Sequence, residues 1–139
     1  MRRIAIGIAC GVVVAAGAES AGGASGDPML AKIGGEEFQQ YCAACHGPSG
    51  VGDGPAAGEL RKKPADLTHI TARRGGTFPD AEIARFIDGR FDVPSHGTRE
   101  MPIWGEKLGD PIAEGTDHDE VVRGKLLALI EYLKTIQKP

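Results

Sequence analysis

Cysteine is scarce in this chain of 139 residues, which contains only Cys10, Cys42 and Cys45. Cys10 lies in an N-terminal apolar stretch, so removal of that stretch would leave a single pair and no disulfide framework. The pair could form a redox dithiol, but the chain lacks the alternating strands and the βαβ pattern that surround thioredoxin-like sites. A redox dithiol is therefore a weak interpretation of Cys42 and Cys45.

Histidines with the spacing of a zinc module are also missing. A structural zinc site needs more ligands than one cysteine pair supplies. Apart from the histidine that directly follows Cys45, the histidines stand singly in the sequence: His69, His96 and His118. The sequence supports zinc even less than a redox dithiol.

Long apolar runs are absent except at the N-terminus, where Arg2 and Arg3 precede an apolar stretch over residues 4–18. This stretch ends in small residues typical of a cleavage site, so we predict a signal peptide over residues 1–18 and a periplasmic protein. A retained membrane anchor is the competing interpretation, but the stretch is short against the roughly 20 residues that span a bilayer. Acylation at Cys10 is a weaker alternative.

Positive charge is in the minority, with 16 Lys and Arg against 19 Asp and Glu and a net charge of −3. Loss of Arg2 and Arg3 with the signal peptide would give 14 − 19 = −5. Such a chain does not suit nucleic acid, whose phosphates bind positive surfaces. Basic residues cluster between positions 61 and 74, and acidic ones cluster between 106 and 120. Each cluster is interpreted either as a solvated face or as a docking surface.

The sequence Cys42-Ala43-Ala44-Cys45-His46 matches the pattern that attaches a c-type haem. Each thiol can add across a haem vinyl group, and on one helical turn the adjacent histidine reaches the iron with a ring nitrogen. The motif therefore predicts one haem c, attached covalently through Cys42 and Cys45, with His46 as a metal ligand.

The segment after the motif, residues 47–58, holds five glycines and two prolines and predicts an irregular loop lying over the haem. A backbone carbonyl in this region would accept a hydrogen bond from the second ring nitrogen of His46 and set the orientation of the ligand. We predict Pro55 as the first candidate for that acceptor and Pro64 as the second.

Residues 19–28 are rich in small residues and predict a flexible lead before a domain over residues 29–139. Apolar residues at helical offsets then predict one helix that carries both a packing face and the haem thiols. The residues of that face are Gly34, Phe38, Tyr41, Cys42 and Cys45.

Two more helices are predicted. One runs from Pro79 to Asp88, where Gly89 stops it, and presents Ile83, Phe86 and Ile87. The other begins with the capping pair Asp117 and Glu120 and runs to the C-terminus, with one apolar side made by Val122, Leu126, Leu129, Leu133 and Ile136. Residues 105–116 are predicted as polar loop. Gly124 weakens the last helix and suggests a close approach by another backbone or by the haem edge.

Methionine is as scarce as cysteine. Met101 is the one that follows the haem motif, and a thioether as sixth ligand favours ferrous iron and raises the reduction potential. Pro102 lacks a backbone N–H and stiffens the segment that holds it. We predict iron ligation by His46 and Met101, with His96 as the rival. Trp104 is interpreted as a wall of the haem crevice, although a role as core filler is equally compatible with its position.

With these motifs, the chain resembles the small class I c-type cytochromes of bacterial periplasms, which bind one haem. The resemblance extends from Ile33 to Lys138 and rests on the haem motif, on Gly34 and Phe38 before it, and on Met101-Pro102 after it. In that family the first and last helices cross at a small glycine and a neighbouring aromatic, which Gly34, Phe38, Leu129 and Tyr132 match. The family's Gly-Pro after the motif matches Gly54-Pro55.

The resemblance implies an all-α cytochrome c fold, with three to five short helices around one covalent haem and crossing terminal helices. It implies a one-electron carrier with redox proteins as partners and no stable membrane span after signal cleavage. The first alternative is a dedicated haem subunit of a periplasmic dehydrogenase or oxidase complex, and the second is an open-site haem enzyme or gas sensor. Mitochondrial members carry a lysine ring that this acidic chain does not reproduce, so their partners are not carried over.

Overall fold

The protein is described by a computed structural model that covers residues 26–90, 101–110 and 113–139. Within these ranges the secondary structure is helical and contains no strand. The α-helices are α1 (Pro28–Tyr41), α2 (Ala43–His46), α3 (Ile70–Arg73), α4 (Asp80–Asp88), α5 (Trp104–Lys107) and α6 (His118–Thr135). Short 3₁₀ turns lie at Ala57–Glu59 and Leu67–His69. The predicted all-α class is confirmed, although single-turn helices bring the number above the expected three to five.

The first and last of these helices cross in direct backbone contact. A Cβ atom added at Gly34 of α1 would lie 1.9 Å from the carbonyl oxygen of Ala128 in α6, which only a glycine allows. Beside this point the rings of Phe38 and Tyr132 pack with their centroids 5.1 Å apart. The crossing predicted from the glycine and the aromatics is therefore confirmed.

The hydrophobic core lies beneath this crossing, because each helix has an apolar side that it cannot bury alone. Phe38 from α1 and Ile87 from α4 meet a row of side chains from α6, and Leu108 reaches the same cluster from the end of α5. The members from α6 are Val122, Leu126, Leu129, Ile130 and Leu133.

Local capping sets where the long helices begin and end. The Asp27 carboxylate accepts from the N–H of Met29 at 2.8 Å, and Pro28 occupies the first turn, so α1 begins one residue before the predicted domain boundary. Asp117 accepts from the N–H of Glu120 at 3.0 Å, as the predicted cap requires. Gly89 ends α4 with a φ of 70°.

Other expectations fall outside the described ranges. These are the signal peptide over residues 1–18, most of the lead over residues 19–28, Cys10 and the rival ligand His96. In the parts of the chain that the structure does describe, no helix has both the length and the apolarity to cross a bilayer.

Three local predictions need correction. The haem motif does not continue the first helix, because the chain turns at Cys42 and a separate helix α2 follows. The predicted polar loop over residues 105–116 contains most of α5, and Leu108 is 1% exposed because it inserts into the core. Gly124 is exposed, and outside its own helix backbone no described atom lies within 4 Å of its would-be Cβ, so no other described backbone approaches it; an approach by the haem edge stays a prediction.

Candidate haem-binding site

The first motif cysteine, Cys42, lies at a break between helices, and the second, Cys45, lies in α2. Helix α1 ends at Tyr41, and Cys42 adopts φ −112° and ψ −34° before α2 begins. The N–H groups of Cys45 and His46 both donate to the carbonyl of Cys42, at 3.1 and 2.9 Å. This single turn holds both thiols and the imidazole on one short, hydrogen-bonded unit, as covalent attachment of one cofactor requires.

One ring nitrogen of His46 is already bound by the protein. Its Nδ1 donates a hydrogen bond to the carbonyl oxygen of Ala65 at 3.1 Å. This contact fixes the tautomer and the orientation of the ring, and it leaves Nε2 as the nitrogen that can bind iron. The acceptor is therefore Ala65, and the prediction of Pro55 or Pro64 is wrong.

The positions of the two prolines explain the difference. Pro55 is exposed. The carbonyl of Pro64 is directed at Gly52, where an added Cβ would lie 2.3 Å from the oxygen. The next carbonyl along the chain is the one that faces His46. No side chain marks such an acceptor, so sequence reasoning could reach its neighbourhood but not the residue.

The loop over residues 47–58 folds back onto α2. The N–H groups of Gly52, Gly54 and Ala56 donate to the carbonyls of His46, Cys45 and Ala44, at 2.8, 3.2 and 2.9 Å respectively. Gly54 comes so close that an added Cβ would lie 2.4 Å from the Ala44 oxygen. The loop thus satisfies the free carbonyls at the end of α2 and makes the motif rigid.

Met101 and Trp104 lie far from the haem motif in the sequence and pack against the same core. Both side chains are partly buried and pack against the core cluster, as does Cys42. The Trp104 ring meets the ring of Tyr41, the residue before Cys42, edge to face with centroids 5.8 Å apart. The structure therefore brings Trp104 to the N-terminal edge of the haem motif, and its role as a wall of the haem crevice stays a prediction.

The chemistry of these side chains fits a large apolar macrocycle. Half-buried apolar residues from separate segments surround the core without being fully covered by protein: Tyr41, Cys42, Ala43, Leu67, Phe78, Ile83, Ala84, Met101, Trp104, Tyr132 and Ile136. A porphyrin would bury apolar surface of this kind, while Cys42 and Cys45 supply the thiols and His46 a free ring nitrogen. The residues present thus fit a covalently attached haem.

Comparison with known protein families agrees with this arrangement. The family described as "Cytochrome C oxidase, cbb3-type, subunit III" matches residues 30–114, more than half of the chain. The chain belongs to this family of c-type cytochromes. Neither a search of curated proteins nor a search of solved structures gives a match. The cytochrome carries haem c, bound covalently through the two cysteines of its Cys-X-X-Cys-His motif, and it functions in electron transfer.

Burial changes the pKa values of Cys42 and His46, the first and last residues of the motif. Desolvation, with smaller contributions from Cys45 and Glu37, raises the pKa of the Cys42 thiol to about 12. Redox-active dithiols need a lowered pKa, so this environment disfavours that alternative. Burial also lowers the pKa of His46, against an opposing effect of the bond to Ala65, and favours the neutral imidazole that binds metals.

The rival zinc site finds no support in the described residues, where no group of three or more His, Cys, Asp or Glu side chains could hold a metal ion.

Some of the charged residues that cluster in the sequence of the cytochrome have partners within the fold. Arg74 pairs with Glu82 of α4, and Arg73 donates to the carbonyl of Asp66 at 2.6 Å. A docking role for the charged runs stays a prediction.

Proposed function

We propose that the cytochrome is a periplasmic one-electron carrier with a single haem whose iron is bound by His46 and Met101. The observation that carries this proposal is the hydrogen bond from His46 Nδ1 to Ala65, because it prepares Nε2 as an axial ligand. The haem supplies an iron that accepts and releases one electron. His46 and Met101 would hold that iron, and the apolar residues around the core would keep water away from it.

Met101 is the proposed second ligand. Its side chain is half-buried against the core cluster that also contacts Cys42, and the next residue is a proline that restricts the backbone. A thioether opposite an imidazole stabilises ferrous iron, so we expect a positive reduction potential. Trp104, three residues later, packs on Tyr41 and shields this side of the core.

The test is the absorption spectrum of the protein exported together with haem-maturation machinery, oxidised and reduced. We expect a low-spin haem with a weak long-wavelength band of the oxidised protein that is lost in Met101→Ala. Met29→Ala is the matched control, because Met29 is 64% exposed at the start of α1 and should leave the band unchanged.

Two results would overturn the ligand assignment. An unchanged spectrum in Met101→Ala would remove Met101 from the iron, and loss of the low-spin spectrum in His96→Ala would then favour the rival histidine. Rapid CO binding to the reduced wild-type protein at neutral pH would point to an open iron site and to an enzyme or a gas sensor.

The dedicated-subunit alternative is favoured by one observation, the description of the matching family as a subunit of a cytochrome c oxidase. Under this second proposal the haem site is the same, and the electrons pass to or from a catalytic partner in a stable complex. Purification of the tagged protein from its native host at moderate salt distinguishes the two. Co-purification of a stoichiometric oxidase or dehydrogenase supports the subunit, and a monomeric haem protein alone supports the free carrier.

The periplasmic location is supported by the two arginines and the apolar stretch at the start of the chain. We expect export and cleavage after Ala18. Mass spectrometry of the mature holoprotein tests this, because a mass that includes residues 1–18 would support the retained anchor instead.

A further inference from the structure

The carbonyl that orients His46 belongs to a short segment, residues 65–71, which is fixed from two directions. On one side, the N–H of Leu67 donates to the carbonyl of Gly50 at 2.7 Å, which ties the segment to the loop that follows the haem motif. On the other side, the C-terminal end of the chain holds it. Thr68 is 1% exposed, and its carbonyl accepts from the N–H of Lys138 at 2.7 Å.

Gln137 makes the main side-chain contacts between the C-terminal end of the chain and residues 65–71. Its Nε2 donates to the carbonyl of Leu67 at 2.8 Å and to the carbonyl of Leu133 in α6 at 2.7 Å. Its Oε1 accepts from the N–H of Thr71 at 2.9 Å. One amide thus joins the last turn of α6 to the first residue of the 3₁₀ turn Leu67–His69 and to Thr71 in α3.

From these contacts we infer that Gln137 is a positioning residue for the axial histidine. The inference rests on His46 as the iron ligand proposed above. By fixing the segment, Gln137 keeps the Ala65 carbonyl in place as the acceptor for His46 Nδ1. A strong N–H···O bond makes the imidazole a better electron donor to ferric iron, so loosening the segment should raise the reduction potential.

The experiment uses the holoprotein and the substitution Gln137→Met, which keeps the side-chain length, adds no charge and removes all three hydrogen bonds. We expect a more positive reduction potential and exchange of the His46 Nδ1 proton about tenfold faster by NMR. Amide protons of α4 should exchange at the wild-type rate. The control is Thr135→Val. It removes the 2.7 Å hydrogen bond from the Thr135 hydroxyl to the Tyr132 carbonyl, in the last turn of α6.

A second variant covers failure of the first to fold. Gln137→Glu retains the acceptor for Thr71 but loses the donor to Leu67, and it should also accelerate exchange at His46. Exchange is the measurement used for this variant, because the added negative charge lowers the potential by itself.

The inference is overturned if both the reduction potential and the proton exchange at His46 stay at their wild-type values. It is also overturned if exchange accelerates equally at every amide, because that would mean global destabilisation. Failure of the ligand proposal is distinguishable, since it would appear without any change at Gln137, as a high-spin wild-type spectrum or as an unchanged spectrum in Met101→Ala.

Discussion

Gly34 and Gly124 are both helical glycines, and they have opposite surroundings. At Gly34 an added Cβ would lie 1.9 Å from a backbone oxygen of α6, which cannot move without separating the helices. We expect Gly34→Ala to lower the free energy of unfolding by about 2 kcal/mol or more. Urea denaturation of the holoprotein measures this change.

Gly124→Ala is the matched comparison, because its Cβ would meet no described atom within 4 Å. It should raise the free energy of unfolding by about 0.5–1 kcal/mol, since alanine restricts the unfolded chain more than glycine does. Destabilisation by this substitution would show that a group outside the described chain covers Gly124.

Asp66 should make the stability of the fold depend on pH in the acid range. Its carboxylate accepts from the hydroxyl of Thr68 at 2.7 Å and from the N–H of Thr68 at 2.8 Å, and these bonds hold its pKa at about 2. The unfolded value is about 3.9, so the stabilisation is complete above about pH 4 and disappears as the pH falls through the folded value.

We expect Asp66→Asn to show a shallower loss of unfolding free energy over this acid range. Urea titrations at a series of pH values measure it. The effect should be modest, because 37% of the carboxylate side chain is exposed to solvent. An identical slope in the two proteins would contradict the prediction.

At the scale of elements, Arg90 connects three helices. Its guanidinium donates to Asp88 at the end of α4, at 2.7 and 3.0 Å, and pairs with Asp119 in the first turn of α6. Gly105 of α5 packs on this pair so closely that an added Cβ would lie 2.0 Å from the Asp88 carboxylate. The bond from Arg90 lowers the pKa of Asp88, so the buried carboxylate stays charged.

Arg90→Met should therefore leave a buried charge without its partner and lower the free energy of unfolding by about 2–4 kcal/mol. Arg74→Met is the control, because the side chains of Arg74 and Glu82 are about half exposed and their pair should contribute less than about 1 kcal/mol. Denaturant unfolding of both variants compares them. Equal effects would show that burial of Asp88 is unimportant.

The elements also show what a sequence can predict. Helices α4 and α6 have caps and an apolar period, so both ends of α4 and the start of α6 are predicted to within about two residues. The predicted end of α6 at the C-terminus is wrong, because the helix ends at Thr135. Helices α3 and α5 are single turns, and one turn is too short to show a period. Ile70 and Leu108 are buried through these turns because of contacts with distant segments, which local sequence does not contain.

Within the site, the cysteines and the histidine could be predicted because their side chains carry the chemistry. Ala65 could not, because only its carbonyl acts. Gln137 could not either, since its three contacts join backbone groups of separate segments. Both residues depend on how the chain folds back on itself, and the signal for them is the tertiary structure.

At the scale of the whole molecule, the haem should contribute to stability as well as to function. The half-buried side chains around the core come from several helices, and the cofactor would cover them together. We expect Cys42→Ser/Cys45→Ser, produced with haem-maturation machinery, to lose covalent haem and to unfold at least about 10 °C below wild type. Circular dichroism melting and a denaturing haem stain measure the two effects. Wild-type melting of the variant in the absence of covalent haem would contradict this expectation.

The crossing of α1 and α6 has a consequence for the order of events during synthesis. Gly34 and Phe38 find their partners only when the last helix of the chain has been made, and contacts between such distant positions form slowly. Until then the adjoining thiols of Cys42 and Cys45 belong to an open chain. We therefore expect haem to be attached most readily in the interval before the two helices meet.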